Sequence, residues 1–307
     1  MTTSAASFEL RDDRVLPFAV EALDLRGRIV RLGAAVDTIL SHYEYPPPVA
    51  RVLGEGVALT ALLGSMLERH GRFQLQTRSD GAVDLLIVDY DPPGRLRGFV
   101  RYDAARIEPW SPTHKLLGQG HMALTIESLE DGARHQGVVA LRDGLANAAH
   151  EYFRQSEQIP SFVKLAVAEE VTPQGRRWRA GGFVAQFLPP HGEGRNPLAE
   201  NETSESWNEG SALAHTIEDL ELVDPSLAPE RLLYRLFHER GVKVFEERAL
   251  VAQCRCSAER IRTMLRSFTD DDRAAMVGDD GRIVVTCEFC GVSRSFDPAE
   301  LEDEGGA

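Results

Sequence analysis

Four cysteines are the residues whose type and spacing point most directly to chemistry in this 307-residue chain. Cys254-x-Cys256 is followed by thirty intervening residues and then by Cys287-x-x-Cys290-Gly291, and the first 253 residues contain no cysteine. A disulfide scaffold would not leave most of the chain unstapled, so thiols clustered this way read as metal ligands or redox groups. Zinc prefers four tetrahedral ligands and takes thiolate readily, so the spacing predicts one Zn2+ per chain on Cys254, Cys256, Cys287 and Cys290 when these are reduced. Gly291 would let the backbone take a left-handed turn there, aiming amide N–H groups at sulfur. The last 54 residues hold few core-forming side chains, and a unit that small needs a staple of this kind.

The first pair departs from the ordinary structural pattern. Such sites usually place two to four residues between paired ligands, whereas Cys254 and Cys256 are separated only by Arg255. A disulfide within so short a pair is strained, and strained disulfides are the labile, regulatory ones. Zinc also keeps its sulfurs as thiolates, the form that peroxide and hypochlorous acid attack. Oxidation of all four cysteines to two disulfides would remove every ligand. Two other uses stay open: an interaction module, recognising protein or nucleic acid, in which zinc is purely structural and never switches, and a thiol oxidoreductase working through Cys287 and Cys290.

The elements that must position these thiols can be read locally. Ser257 is placed to cap a helix carrying Ile261, Met264, Leu265 and Phe268 on one face. Thr269 with Asp270, Asp271 and Asp272 opens a second helix, with acids at its positive end. Asp280-Gly281 then turns into a strand over 283–286 that delivers Cys287.

The rest of the chain reads as an α+β protein with a mixed α/β core in residues 1–190. Helices are predicted over 33–40 and 49–70, the second capped by Gly71, with Gly54, Gly56 and Gly64 allowing close packing. Strands follow around Phe73 and Leu75, then over 83–89, 96–102, 123–127, 138–141, 162–168 and 182–188, with a helix over 145–156. Asp80-Gly81 and Pro92-Pro93-Gly94 mark turns, and Pro189-Pro190 marks the end of the core. Residues 191–253 read as an acidic, partly helical linker that opens with a polar connector over 191–207. Within it, 229–240 is a helix with Pro229 in its first turn and Leu232, Leu233, Leu236 and Phe237 on one face. A weaker helix holds Leu213, Ile217 and Leu220. Helices this short are marginal alone, so the linker should be metastable without a surface to pack on. Residues 254–307 form the zinc-binding domain.

A formal net charge of -14 argues against nucleic acid and anionic membrane surfaces as partners. The longest mostly apolar stretch, 57–67, is about half of the ~20 residues that span a bilayer. The N-terminus lacks the basic start and apolar run of a secretory signal, so a soluble cytoplasmic protein is expected, and the Asn201-Glu202-Thr203 sequon carries no weight. No phosphate-binding G-x-x-x-x-G-K-[ST] loop is present. Gly118-Gln119-Gly120-His121-Met122-Ala123 loosely fits a dinucleotide fingerprint, but a strand rather than a helix is predicted after it. His150-Glu151 lacks the second histidine of a zinc protease helix. No catalytic group can be assembled, and an enzyme is not expected.

The cysteine layout resembles the redox-switch domain of the heat-shock protein 33 family. Further family-like motifs are Arg31-Leu32-Gly33-Ala34-Ala35-Val36, Leu53-Gly54-Glu55, Leu116-Leu117-Gly118-Gln119-Gly120, the run from Tyr152 to Ser161, and Leu232-Leu233-Tyr234-Arg235-Leu236-Phe237-His238-Glu239. The resemblance covers about residues 25–300, and the polar stretch near 191–207 is longer than the family pattern. It implies a redox-regulated, ATP-independent holdase of the stress response, quiet while reduced and zinc-bound. Oxidation of the four cysteines to two disulfides, with zinc release and linker unfolding, would then allow it to bind unfolding client proteins. The resemblance also implies a homodimer in the active state.

Overall fold

The computed structural model describes residues 12–67, 71–173, 175–188 and 204–301. The chain divides into two units, Met1–Ala252 and Gln253–Ala307. The first unit opens with β1 (Arg14–Val20) and β2 (Leu25–Leu32), followed by α1 (Ala34–Leu40) and α2 (Pro47–Gly64). Strands β3 (Gly71–Ser79), β4 (Val83–Asp91) and β5 (Arg95–Tyr102) lead to α3 (Thr113–Leu117). Next come β6 (Gly120–Ser128), β7 (Arg134–Leu141), α4 (Leu145–Tyr152), β8 (Ser161–Thr172) and β9 (Gly175–Phe187). The acidic segment supplies α5 (Glu205–His215), α6 (Asp219–Val223), α7 (Pro229–Phe237) and three two-residue strands, β10 (Lys243–Val244), β11 (Arg248–Ala249) and β12 (Val251–Ala252).

These strands make two sheets. One runs β10-β1-β2-β9-β8, with β11 also paired to β1, and the other runs β12-β5-β4-β3-β6-β7. Every pairing is antiparallel except that of β12 with β5. Helix α2 lies between the sheets. Its Val49, Val52, Leu53, Leu59 and Leu62 are buried among residues from both, as expected of a helix that is apolar over most of its circumference, with Arg51 and Glu55 on the remaining strip. A Cβ at Gly64 would come within 2.5 Å of the Tyr90 ring, so the close approach of helix to sheet requires glycine there. The outer face of the first sheet carries Leu16, Phe18, Ile29, Phe183 and Phe187, and α5 to α7 cover it. Leu232, Leu233, Leu236 and Phe237 of α7 are all buried in that layer. Arg31 of β2 reinforces the contact by donating to the carbonyl oxygens of Asp224 and Glu221.

The mixed helix-and-sheet class agrees with the sequence reading, and a strand rather than a helix, β6, begins at Gly120. Several details differ. Helix α2 ends at Gly64, with Ser65 donating its hydroxyl to the Leu62 carbonyl, and Gly71 opens β3 instead of capping a helix. Strands β1 and β2 are additional to the predicted set. Leu220 is exposed, while Ile217 is buried. Trp207 belongs to α5, because its ring packs against Phe187 at 6.3 Å. The predicted helix end at His70, the Pro189-Pro190 boundary, the sequon and connector residues 191–203 lie outside the described residues.

One half-buried carboxyl on α2 makes stability depend on pH. Thr113 donates its hydroxyl to Glu55 Oε1 at 2.9 Å, tying α3 to α2. Burial pushes the Glu55 carboxyl from its ordinary 4.5 up to about 7, with the Asp219 charge adding to the rise and the Thr113 bond opposing it. The folded state therefore favours protonated Glu55. Its contribution to stability is present below the ordinary carboxylate pKa and is lost as pH rises through the folded value. Glu55→Gln keeps an acceptor for Thr113 and removes the titration. Its melting temperature should fall less than that of the wild type between about pH 5 and pH 7.5, a difference of up to about 3 kcal/mol in stability. Parallel melting curves across that range would contradict this reading.

Candidate metal centre

The second unit holds α8 (Ala258–Arg266), α9 (Asp270–Ala275) and a hairpin of β13 (Ile283–Thr286) with β14 (Ser293–Phe296). Both predicted caps are present. Ser257 Oγ accepts from the Arg260 N–H at 3.2 Å, and Thr269 Oγ1 accepts from the Asp272 N–H at 3.2 Å. Gly281 and Gly291 both have left-handed φ, +76° and +65°. The core is small, with Ile261, Leu265, Ile283, Phe296 and Leu301 buried among the described residues. Arg262 covers the Phe296 ring at 5.6 Å.

Two side chains of the predicted α8 face point elsewhere. Met264 is 45% exposed and Phe268 is 39% exposed. With so narrow a core beneath it, α8 needs only Ile261 and Leu265 to meet the hairpin. Strand β14 is also new, since Phe296 is the lone apolar residue in Ser-Arg-Ser-Phe and no alternation announces it.

The local structure brings the four thiols together from opposite ends of the unit. Cys254 and Cys256 precede α8, while Cys287 follows β13 and Cys290 sits in the turn before β14. The Gly291 N–H donates to the Cys287 carbonyl at 2.8 Å, and the Cys287 N–H donates to the Val292 carbonyl at 3.1 Å, closing the knuckle. Amide N–H groups of Cys290 and Phe289 point at the Cys287 sulfur, and that of Val292 points at the Cys290 sulfur. All four sulfurs lie within 4.8 Å of one another, with Cys254 Sγ 3.7 Å from Cys287 Sγ and Cys256 Sγ 3.4 Å from Cys290 Sγ. Among the described residues this is the one group of three or more His, Cys, Asp or Glu residues close enough to hold a metal ion.

Donor type and spacing both fit zinc. Four thiolates at about 2.3 Å from a tetrahedral ion stand about 3.8 Å apart, close to the observed separations. Electrostatics points the same way. Burial pushes the Cys290 thiol up to about 12 and raises that of Cys287, so thiolates crowded here call for a cation. Arg294 Nη2 stands 4.0 Å from Cys256 Sγ and contributes positive charge. No spacing rule in the sequence identifies that arginine; only the β14 register places it.

Comparison with known proteins adds three findings. Residues 13–297 match the family described as Hsp33 protein. Among curated relatives, the 33 kDa chaperonin of Caulobacter vibrioides is 43% identical over 305 residues, covering 97% of this chain and 99% of its own. That of Ectopseudomonas mendocina is 36% identical over 287 residues, covering 92% of each. In fold, the chain is similar to the crystal structure of the 33 kDa chaperonin (heat shock protein 33 homolog) from Thermotoga maritima. That match has a TM-score of 0.77 at 20% identity and covers 94% of this chain and 96% of the other.

Proposed function

Because the chain belongs to the Hsp33 family, we propose that it is a redox-regulated, ATP-independent holdase chaperone. The observation that carries this reading is the convergence of four cysteine sulfurs within 4.8 Å in a unit with very little core of its own. In the reduced protein Cys254, Cys256, Cys287 and Cys290 hold one Zn2+. The ion supplies positive charge that keeps the sulfurs as thiolates, and its binding energy, ~10–16 kcal/mol in comparable small sites, folds the unit. Each disulfide consumes two thiolates and one two-electron oxidant such as hydrogen peroxide, which is reduced to water. Two disulfides use all four donors.

Chain continuity carries the loss upstream. Gln253 alone separates β12 from Cys254. The segment before it is held to β1 and β5 by strands of two residues, which offer few hydrogen bonds to resist release. Undocking of α5 to α7 would bare Leu232, Leu233, Leu236 and Phe237 together with the aromatic sheet face beneath them. Such a surface suits unfolding client proteins, and a net charge of -14 would keep the complexes soluble. The active form would be a homodimer working in the cytoplasm, without nucleic acid or membrane as partner. Among the described residues no helix is long and apolar enough to cross a membrane.

Aggregation of a thermally unfolding client, followed by light scattering without nucleotide, tests the proposal. Oxidised protein should suppress it, reduced zinc-loaded protein should not, and a thiol reductant should reverse the gain. Equal suppression by both forms would leave a structural zinc module, and turnover of a dithiol substrate would identify an oxidoreductase.

A further inference from the structure

Two guanidinium groups converge in the first unit at a place the redox reading does not use. Arg28 of β2 stands opposite Pro17 of β1, and Arg248 of β11 stands opposite Val15 on the other side of the same strand. Pro17 and Val15 are two residues apart, so both arginines project from one face of the sheet. There they line a groove of about 900 Å³ with Tyr90, Pro93 and Phe245. Arg248 is anchored, donating Nη1 to the Ser65 carbonyl at 2.9 Å.

Arg28 is not compensated in this way. Its Nε–H is buried with no hydrogen-bond partner among the described residues. Arg31 also has an unpartnered Nε, but its terminal nitrogens are bonded to two carbonyl oxygens. The two carboxylates that line the groove among the described residues, Glu246 and Glu247, are both exposed, and Glu247 is held by Arg14. Burial and the charge of Arg248 push Arg28 down to about 10; Tyr90 opposes them, and no carboxylate among the described residues does. A partly buried cation beside another cation costs stability unless an anion completes the site. Paired guanidinium forks match the planar oxygens of carboxylate and the tetrahedral oxygens of phosphate.

We propose that this groove is an oxyanion-binding site in which Arg28 and Arg248 together take a carboxylate or phosphate group, with Tyr90 and Phe245 flanking its substituent. An anion bridging β2 and β11 would also hold the short strands 243–252 against β1. This consequence follows from the strand order and does not depend on the redox reading.

The test titrates reduced full-length protein with inorganic phosphate, and separately with acetate, against chloride at matched ionic strength. Calorimetry, melting temperature and amide exchange of residues 243–252 are read in each arm. At least one oxyanion should bind saturably, raise the melting temperature and slow exchange in 243–252, and the arm that does so identifies the ligand class. Arg28→Met should weaken that binding at least tenfold, yet melt higher than wild type when no oxyanion is present, because it removes a partly buried charge that stands beside Arg248. Arg28→Gln provides the same comparison if the methionine variant does not fold. The proposal fails if neither oxyanion binds beyond chloride, if the variant binds as wild type does, or if it melts lower without anion, which would make Arg28 a structural residue.

Discussion

Leu233→Asp is expected to release the acidic segment from the first sheet and to give a chaperone that is active without oxidation. Leu233 is fully buried on α7, in the layer that also holds Phe18, Ile29 and Phe183. Burying a leucine there is worth roughly 1.5–3 kcal/mol, and an unpaired carboxylate in its place costs several more. Helix α7 has nine residues, too few to persist without that surface. Phe237, whose ring lies 6.0 Å from that of Phe18, would leave with it. Nothing in the variant touches the cysteines, so the four thiols should still hold zinc. Glu239→Gln, at an exposed position just beyond the helix, serves as the control and should change neither property. Limited proteolysis alongside client aggregation, on the reduced proteins, measures both effects. If Leu233→Asp is as protease-resistant and inactive as wild type, the segment does not gate client access.

Stripping the metal under reducing conditions should cost the second unit its fold. Its described core consists of Ile261, Leu265, Ile283, Phe296 and Leu301, which is little to set against the conformational entropy of the segment. A four-thiolate site supplying ~10–16 kcal/mol is comparable with the whole contribution of five buried apolar side chains at roughly 1.5–3 kcal/mol each, so its removal takes away about half of what holds the unit. Amide exchange with and without a chelator checks this. Protection in α8, α9, β13 and β14 should collapse, while β3, β4, β6 and β9, in the two large sheets, keep theirs. Retained protection in α8 after metal removal would mean that the unit is held by its side chains alone.

What could be read in the sequence was what is encoded locally. The Gly291 turn, the Ser257 and Thr269 caps and the apolar face of α7 each depend on residues within one turn or one helix, and the two cysteine pairs, though thirty residues apart, are legible because each pair is itself a local motif. The omissions are non-local. Strand β1 is interrupted by Pro17, and β2 carries Arg26, Arg28 and Arg31, so neither shows clean alternation; their burial comes from α2 on one side and α5 to α7 on the other. Strands β10, β11 and β12 have two residues each and no period to detect. Trp207 was read as part of a polar connector because its partner, Phe187, lies twenty positions earlier in the chain. The approach of Arg28 to Arg248 likewise requires knowing that β1 lies between their strands.

One metal ion should depend on all four thiols, and this is checked by counting zinc and free thiols in the same samples. Reduced wild-type protein should contain one zinc and four reactive thiols per chain. Stepwise oxidation should release zinc in proportion to thiol loss, reaching none when no thiol remains, and the Cys254→Ser, Cys287→Ser double variant should hold none tightly. Zinc retained tightly by that variant, or by fully oxidised wild type, would mean that the ion is not held by these four thiols.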